Sequence, residues 1–139
     1  MSEALEKLYA SYREGDTQFR IAGGEAGCMK LANDFYDIMQ KLPEARRILH
    51  MHPTDLTVSR EKLGRFLCGY LNGPDLYEEK YGPIHLAPAH AHLAIGTAEK
   101  EAWLLCMKEA LEKQAYASEF RDFLMMRFAV PAENIRNRP

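Results

Sequence analysis

Residues 28–43 read Cys28-Met29-Lys30-Leu31-Ala32-Asn33-Asp34-Phe35-Tyr36-Asp37-Ile38-Met39-Gln40-Lys41-Leu42-Pro43. Cys28, Leu31, Ala32, Phe35, Met39 and Leu42 recur at intervals of three and four, which lines them along one side of an α-helix until Pro43 stops the run. Tyr36 rides on that helix. Toward the N-terminus, the stretch from Gly15-Asp16-Thr17 to Gly23-Gly24 punctuates the chain, and a short helical stretch through Leu5, Leu8 and Tyr9 precedes it. Toward the C-terminus, a short helix through Ala45, Ile48 and Leu49 ends at His50-Met51-His52-Pro53, because a residue before proline is pushed out of the helical region. Another helix begins near Thr57, carries Leu63, Phe66, Leu67, Tyr70 and Leu71, and stops at Asn72-Gly73-Pro74. Residues 72–96 are irregular, broken by Pro74, Gly82, Pro83, Pro88 and Gly96. A long helix then follows with Thr97 as its N-cap, and its core stripe is Trp103, Leu104, Met107, Ala110 and Leu111. Ser118 is expected to cap a last helix bearing Phe120, Phe123, Leu124 and Phe128, which Pro131 is expected to end. No segment alternates with a period of two, so the fold class is all-α.

The chain has 139 residues, 47% hydrophobic and 27% charged, enough for one domain with a substantial core. Residues 1–15 form an N-terminal extension of that single domain over 1–139, and the polar tail 132–139 is expected to fray. The formal charge is −2 and the isoelectric point about 6.2, which gives no basic field to gather nucleic acid or an anionic membrane. The acidic start, Met1-Ser2-Glu3-Ala4-Leu5-Glu6, is unlike a signal peptide, and the expected location is cytoplasmic. Cys28, Cys68 and Cys106 are odd in number and contain no Cys-x-x-Cys, so they read as reduced, packed thiols.

Five histidines fall in two places, His50 with His52 and His85 with His90 and His92. Three accounts of them are open. All five could be surface or capping residues; the pairs His50, His52, His90 and His92 could hold zinc or copper in a helical binding or interaction module; or one imidazole could ligate a haem iron. Zinc sites normally combine cysteine and histidine at short spacings, and no cysteine joins either pair. A haem site asks instead for one imidazole on an irregular segment, an apolar slot and a few hydrogen-bond donors. Tyr36, Trp103 and His52 can supply such donors, although each could equally be a core or turn residue. No Gly-x-Ser-x-Gly and no glycine-rich phosphate loop occurs, which disfavours hydrolase and nucleotide-binding functions.

Six motifs in order resemble the group II truncated haemoglobins over roughly residues 16–115. They are Asp16-Thr17-Gln18-Phe19 with Gly23-Gly24, Phe35-Tyr36-Asp37-Ile38-Met39 with Pro43, Met51-His52-Pro53-Thr54-Asp55-Leu56, and Phe66-Leu67 through Gly73-Pro74-Asp75-Leu76-Tyr77. His90-Ala91-His92-Leu93-Ala94-Ile95-Gly96 and Glu101-Ala102-Trp103-Leu104-Leu105-Cys106-Met107 complete the set. The tryptophan is what separates this group from its relatives. The resemblance implies a two-over-two helical sandwich around haem b, consistent with the lack of a Cys-x-x-Cys-His attachment site. By matching position, His90 would be the proximal iron ligand, its other ring nitrogen donating to a backbone carbonyl or water, while His92 would point elsewhere. Tyr36, His52 and Trp103 would form the distal cluster with Ser59 at the gate. Leu63, Phe66, Leu86, Leu93, Ile95 and Met107 would form the haem pocket.

Such a pocket implies tight binding of O₂ and other small diatomic or reactive ligands, because O–H and N–H donors away from water stabilise a ligand that gathers negative charge. Redox, detoxifying or sensing roles then suit the chain better than oxygen delivery. A peroxidase-like or nitric-oxide- and reactive-species-detoxifying activity stays open, although Ser59 is a poor substitute for a distal histidine in acid–base work. A reductase would be the partner for such chemistry, with the chain acting as a monomer or homodimer. In place of the arginines that the family sets before its proximal histidine, this chain has Leu86-Ala87-Pro88-Ala89, and it has Leu93 where the family tends to have phenylalanine. Arg60, Lys62, Lys80 or His85 are the candidates to pair with the haem propionates instead.

Overall fold

Four helices set the architecture of the computed structural model, which describes all 139 residues. They are α3 (Gly24–Lys41), α5 (Thr57–Tyr70), α8 (Thr97–Glu112) and α9 (Ser118–Ile135). α3 packs on α5 and α8 on α9, and a contact between α3 and α8 joins the two pairs into a two-over-two sandwich. Shorter helices complete the chain: α1 (Glu3–Tyr12), α2 (Thr17–Ile21), α4 (Arg46–Leu49) after a 3₁₀ turn at Pro43–Ala45, α6 (Leu76–Tyr81) and α7 (Leu86–His90). There are no strands. No helix is long and apolar enough to cross a membrane.

The stripe read from residues 28–42 is the face that α3 buries: Cys28, Leu31, Ala32, Phe35 and Met39 retain at most 1% of their surface. Each such aliphatic or aromatic side chain is worth about 1.5–3 kcal/mol of burial. α5 ends where Asn72-Gly73-Pro74 was expected to end it. Asn72 takes a left-handed conformation, φ 67°, and the Gly73 amide donates back to the Cys68 carbonyl at 2.8 Å. The N-terminal extension is docked through Tyr9 and Tyr12, whose rings meet Phe123 and Phe120 edge-on at 5.1 Å. All three cysteines are buried and free; burial raises the thiol of Cys106 to about 11 and pushes that of Cys28 higher still, which makes them poor nucleophiles.

Several boundaries differ from those expected. The punctuating stretch before α3 contains the single-turn helix α2, and the irregular region 72–96 contains α6 and α7. Thr97 is the first helical residue of α8 rather than its cap; Gly96 occupies the cap, and its amide donates to the Glu99 carboxylate at 2.7 Å. Ser118 likewise lies inside α9, behind the cap Ala117. The largest correction concerns the end of the chain. Pro131 does not stop α9, which runs four residues further. A proline lacks the N–H that would bond the carbonyl four residues back, here that of Arg127. Tyr70 Oη on α5 donates to that carbonyl instead, so the carbonyl is paired and the helix continues. The tail beyond it is not frayed. The Asn137 and Arg138 amides both donate to the Ile95 carbonyl, at 2.8 and 3.0 Å.

Candidate ligand-binding site

A cavity of about 370 Å³, with 14 hydrophobic residues among the 21 that line it, sits where α3, α5, α7, α8 and α9 converge. That volume and composition fall in the range of small-molecule and cofactor pockets. α3 contributes Tyr36, the turn after α4 contributes His52, α5 contributes Ser59, Lys62, Leu63 and Phe66, and α8 contributes Trp103. α7 and the segment after it contribute Leu86, His90, His92, Leu93 and Ile95.

His90 is the last residue of α7, and its Nδ1 lies 2.7 Å from the carbonyl of Leu86 one turn earlier. A carbonyl oxygen can only accept, so Nδ1 carries a proton, and in the neutral ring Nε2 keeps its lone pair. This is the second-sphere bond expected of a metal-ligating histidine. His52 is arranged in the same way, its Nδ1 donating to the Ile48 carbonyl at 2.8 Å. Its Nε2 is therefore an acceptor, 3.4 Å from Tyr36 Oη. Burial holds the His52 imidazole below its ordinary pKa despite the Ile48 bond, and nearby His90 adds to that effect. The Tyr36 phenol is 6% exposed, and burial pushes its pKa up to about 12; it stays protonated and can donate. Phe35 fixes the cluster from beneath, edge-on to Tyr36 at 5.1 Å and tilted against Trp103 at 5.3 Å.

The cavity thus holds the His90 imidazole, whose Nε2 has no protein partner, a largely apolar lining, and a phenol, an indole and the imidazoles of His52 and His92 among its polar groups. A planar apolar macrocycle with a metal centre that lacks one axial ligand fits this donor set. Neither Arg60 nor His85 lines the cavity. Arg60 is turned toward α3, where it donates to the Asn33 carbonyl at 2.9 Å and to Asp37 at 2.8 Å. Lys80 binds the Glu61 carboxylate. Lys62 alone of the four cationic candidates reaches the lining. Met107 is fully buried in the core and does not reach the cavity, whereas His92, expected to point away, is part of the lining. His50 sits apart beside a smaller cavity, and no three His, Cys, Asp or Glu side chains are placed to share a metal ion.

Sequence reasoning missed Ile48, Met51, Tyr77, Pro131, Ala132 and Ile135, all of which line the site. The last three come from the part of α9 beyond the expected helix end. No local pattern marks them, because their partners lie on α7, some 45 residues earlier.

The family model for the bacterial-like globins matches residues 17–137. Group 2 truncated hemoglobin YjbI of Bacillus subtilis (strain 168) is 34% identical over 115 residues, which is 83% of this chain and 85% of that protein. Among solved structures, the cold-adapted truncated hemoglobin of the Antarctic marine bacterium Pseudoalteromonas haloplanktis TAC125 is 34% identical. It superposes with a TM-score of 0.84 over 88% of this chain and 98% of that one. The group II 2-on-2 hemoglobin of the plant pathogen Agrobacterium tumefaciens is 34% identical with a TM-score of 0.82, over 88% and 95% respectively. With this fold, this donor set and these relatives, the chain belongs to the bacterial-like globin family, as a haem-binding globin of the truncated group II kind.

Proposed function

We propose that the cavity holds haem b non-covalently, with His90 Nε2 as the axial ligand, and that the protein binds O₂ and other small diatomic or reactive ligands tightly. The observation that carries this is the His90–Leu86 bond at 2.7 Å, which leaves a bare Nε2 in the cavity that Tyr36, His52 and Trp103 also line. When bound, the haem supplies an iron centre for the small ligand. Tyr36 Oη and the Trp103 indole N–H are the donors that stabilise negative charge on that ligand in a water-poor pocket. Ser59 gates the distal side, and Leu63, Phe66, Leu86, Leu93 and Ile95 form the walls. Lys62 is the cation for a propionate. Tight retention of ligand suits redox, detoxifying or sensing work in the cytoplasm, with a reductase as electron donor and the chain as a monomer or homodimer.

Reconstitution of the purified chain with haemin, followed by stopped-flow O₂ release, tests this proposal. The expected result is one haem per chain, with Tyr36→Phe and Trp103→Phe each releasing O₂ about 10- to 100-fold faster, as loss of a donor to a charged acceptor requires. Unchanged release in both variants would remove these residues from ligand binding. Stoichiometric zinc in a protein that stays colourless with haemin would favour the metal-binding alternative.

A further inference from the structure

The segment that follows α7, residues 91–96, is neither helix nor strand, so its backbone groups and the last carbonyls of α7 must find partners outside regular structure. A single side chain supplies three of them. Asn137 Nδ2 donates to the Leu93 carbonyl at 2.8 Å and to the His90 carbonyl at 3.3 Å, and Asn137 Oδ1 accepts from the Ile95 amide at 3.0 Å. The Asn137 and Arg138 amides together bond the Ile95 carbonyl. Four backbone groups between His90 and Ile95 are thereby tied to a point more than 40 residues later in the chain.

The tail that carries Asn137 is itself held in shape. Arg136 donates to Glu133 at 2.8 and 2.6 Å and to the Arg138 carbonyl at 2.9 Å, while Glu133 also binds Lys100 on α8 at 2.9 Å. The tail lies so close to Gly96 that a Cβ there would come within 2.9 Å of the Pro139 carbonyl. Immediately upstream, Pro131, Ala132 and Ile135 line the cavity. This end of the chain therefore packs against the same segment that presents His90, and that segment lacks the arginines which would otherwise hold the haem edge.

We propose that Asn137 is a positioning residue for the iron ligand, and that residues 136–139 form a strap that fixes the height and tilt of His90 beneath the haem. The inference rests on His90 being the axial ligand. Outer partners that orient a metal-binding histidine typically matter by 10- to 100-fold in affinity, so removing the Asn137 side chain should accelerate haem loss about 10-fold.

The test uses the holoprotein with Asn137→Ala, Asn137→Asp and Arg20→Ala. Arg20 is the control, since its side chain bonds only Asp16 and Thr17, away from the tail and the cavity. Haem transfer to excess apomyoglobin gives the rate of loss, and resonance Raman of the ferrous protein gives the iron–histidine stretch, which a merely stabilising contact would not move. The expected result for Asn137→Ala is faster haem loss with a shifted or broadened stretch, while the helicity of the apoprotein stays as in the wild type. Asn137→Asp, which keeps the acceptor for Ile95 but sets a carboxylate oxygen against the Leu93 and His90 carbonyls, should show a shift at least as large, and Arg20→Ala none. A wild-type stretch and wild-type haem loss in Asn137→Ala would overturn the proposal, as would a fall in stability with an unmoved stretch. Absence of any iron–histidine band from the wild type would instead overturn the assignment of His90 on which it rests.

Discussion

Replacing His52 by phenylalanine should slow O₂ release rather than speed it. The direction follows from the proton positions: Nδ1 of His52 is committed to the Ile48 carbonyl, so Nε2 can only accept. The depressed pKa keeps the ring neutral at pH 7, so no second proton arrives to make it a donor. Tyr36 Oη is the only protein donor within reach of that nitrogen, at 3.4 Å. It cannot serve His52 and a ligand with the same proton, so ligand binding must first break the Tyr36–His52 bond. At 3.4 Å that bond is longer than the usual range and belongs at the weak end of hydrogen-bond strengths, about 0.5–1 kcal/mol. Removing the competitor returns that energy to the liganded state, a factor of roughly two to five in the release rate at 1.4 kcal/mol per decade. Phenylalanine keeps an aromatic ring edge-on to Tyr36 while removing both nitrogens. Stopped-flow O₂ displacement on the wild type, His52→Phe, Tyr36→Phe and the double variant measures the coupling. In the Tyr36→Phe background the effect of His52→Phe should vanish. Faster release in His52→Phe would refute the reasoning and make His52 a direct donor to the ligand.

Three further outcomes follow from the same structure. Tyr70→Phe leaves the Arg127 carbonyl without a donor at the proline in α9, and should destabilise the apoprotein by about 1–2 kcal/mol, measured by urea unfolding; an unchanged midpoint would mean that the helix passes Pro131 without that help. Lys62→Met should raise the rate of haem loss a few-fold, since a solvent-exposed ion pair is worth about 0.2–1 kcal/mol, while Arg60→Met should leave it unchanged; the reverse order would assign the propionate to Arg60. The carboxyls of Glu61 and Glu133 are held at about 2, Glu61 chiefly by Lys80 and Tyr81 and Glu133 chiefly by Arg136 and Lys100. Their folded-state values lie below the ordinary 4.5, so their contribution is fully present above that pH and is lost as the pH falls toward 2. Stability measured across that window should fall more steeply for the wild type than for Glu61→Gln/Glu133→Gln, and equal slopes would contradict the assignment.

The parts of the fold that were legible in the sequence are those governed by neighbours in the chain. The stripe of α3, the stop at Asn72-Gly73-Pro74 and the broken region that carries His90 depend on three- and four-residue spacing or on the backbone limits of glycine and proline, and each appears where its residues predicted. Tyr36, His52, Ser59, Leu63, Trp103 and His90 line one cavity. What escaped depends on contacts remote in sequence. Pro131 reads as a helix end because nothing nearby announces that Tyr70, 57 residues from Arg127, will accept the role of donor. Asn137 reads as part of a polar tail because its partners lie 42 to 47 residues away. Arg60 is a propionate candidate by its charge alone, and Asp37, 23 residues earlier, holds it instead. Met107 shares the periodicity of α8 with Trp103, yet the two point into different surroundings, the core and the cavity.

The central claim, that His90 Nε2 holds the haem iron, is tested most directly by His90→Gly. The glycine variant reconstituted with haemin should lose the ferrous iron–histidine stretch and show a displaced Soret band, and added imidazole should restore both by occupying the vacated position. A variant whose stretch and Soret band match those of the wild type without imidazole would place the axial bond elsewhere and contradict the account.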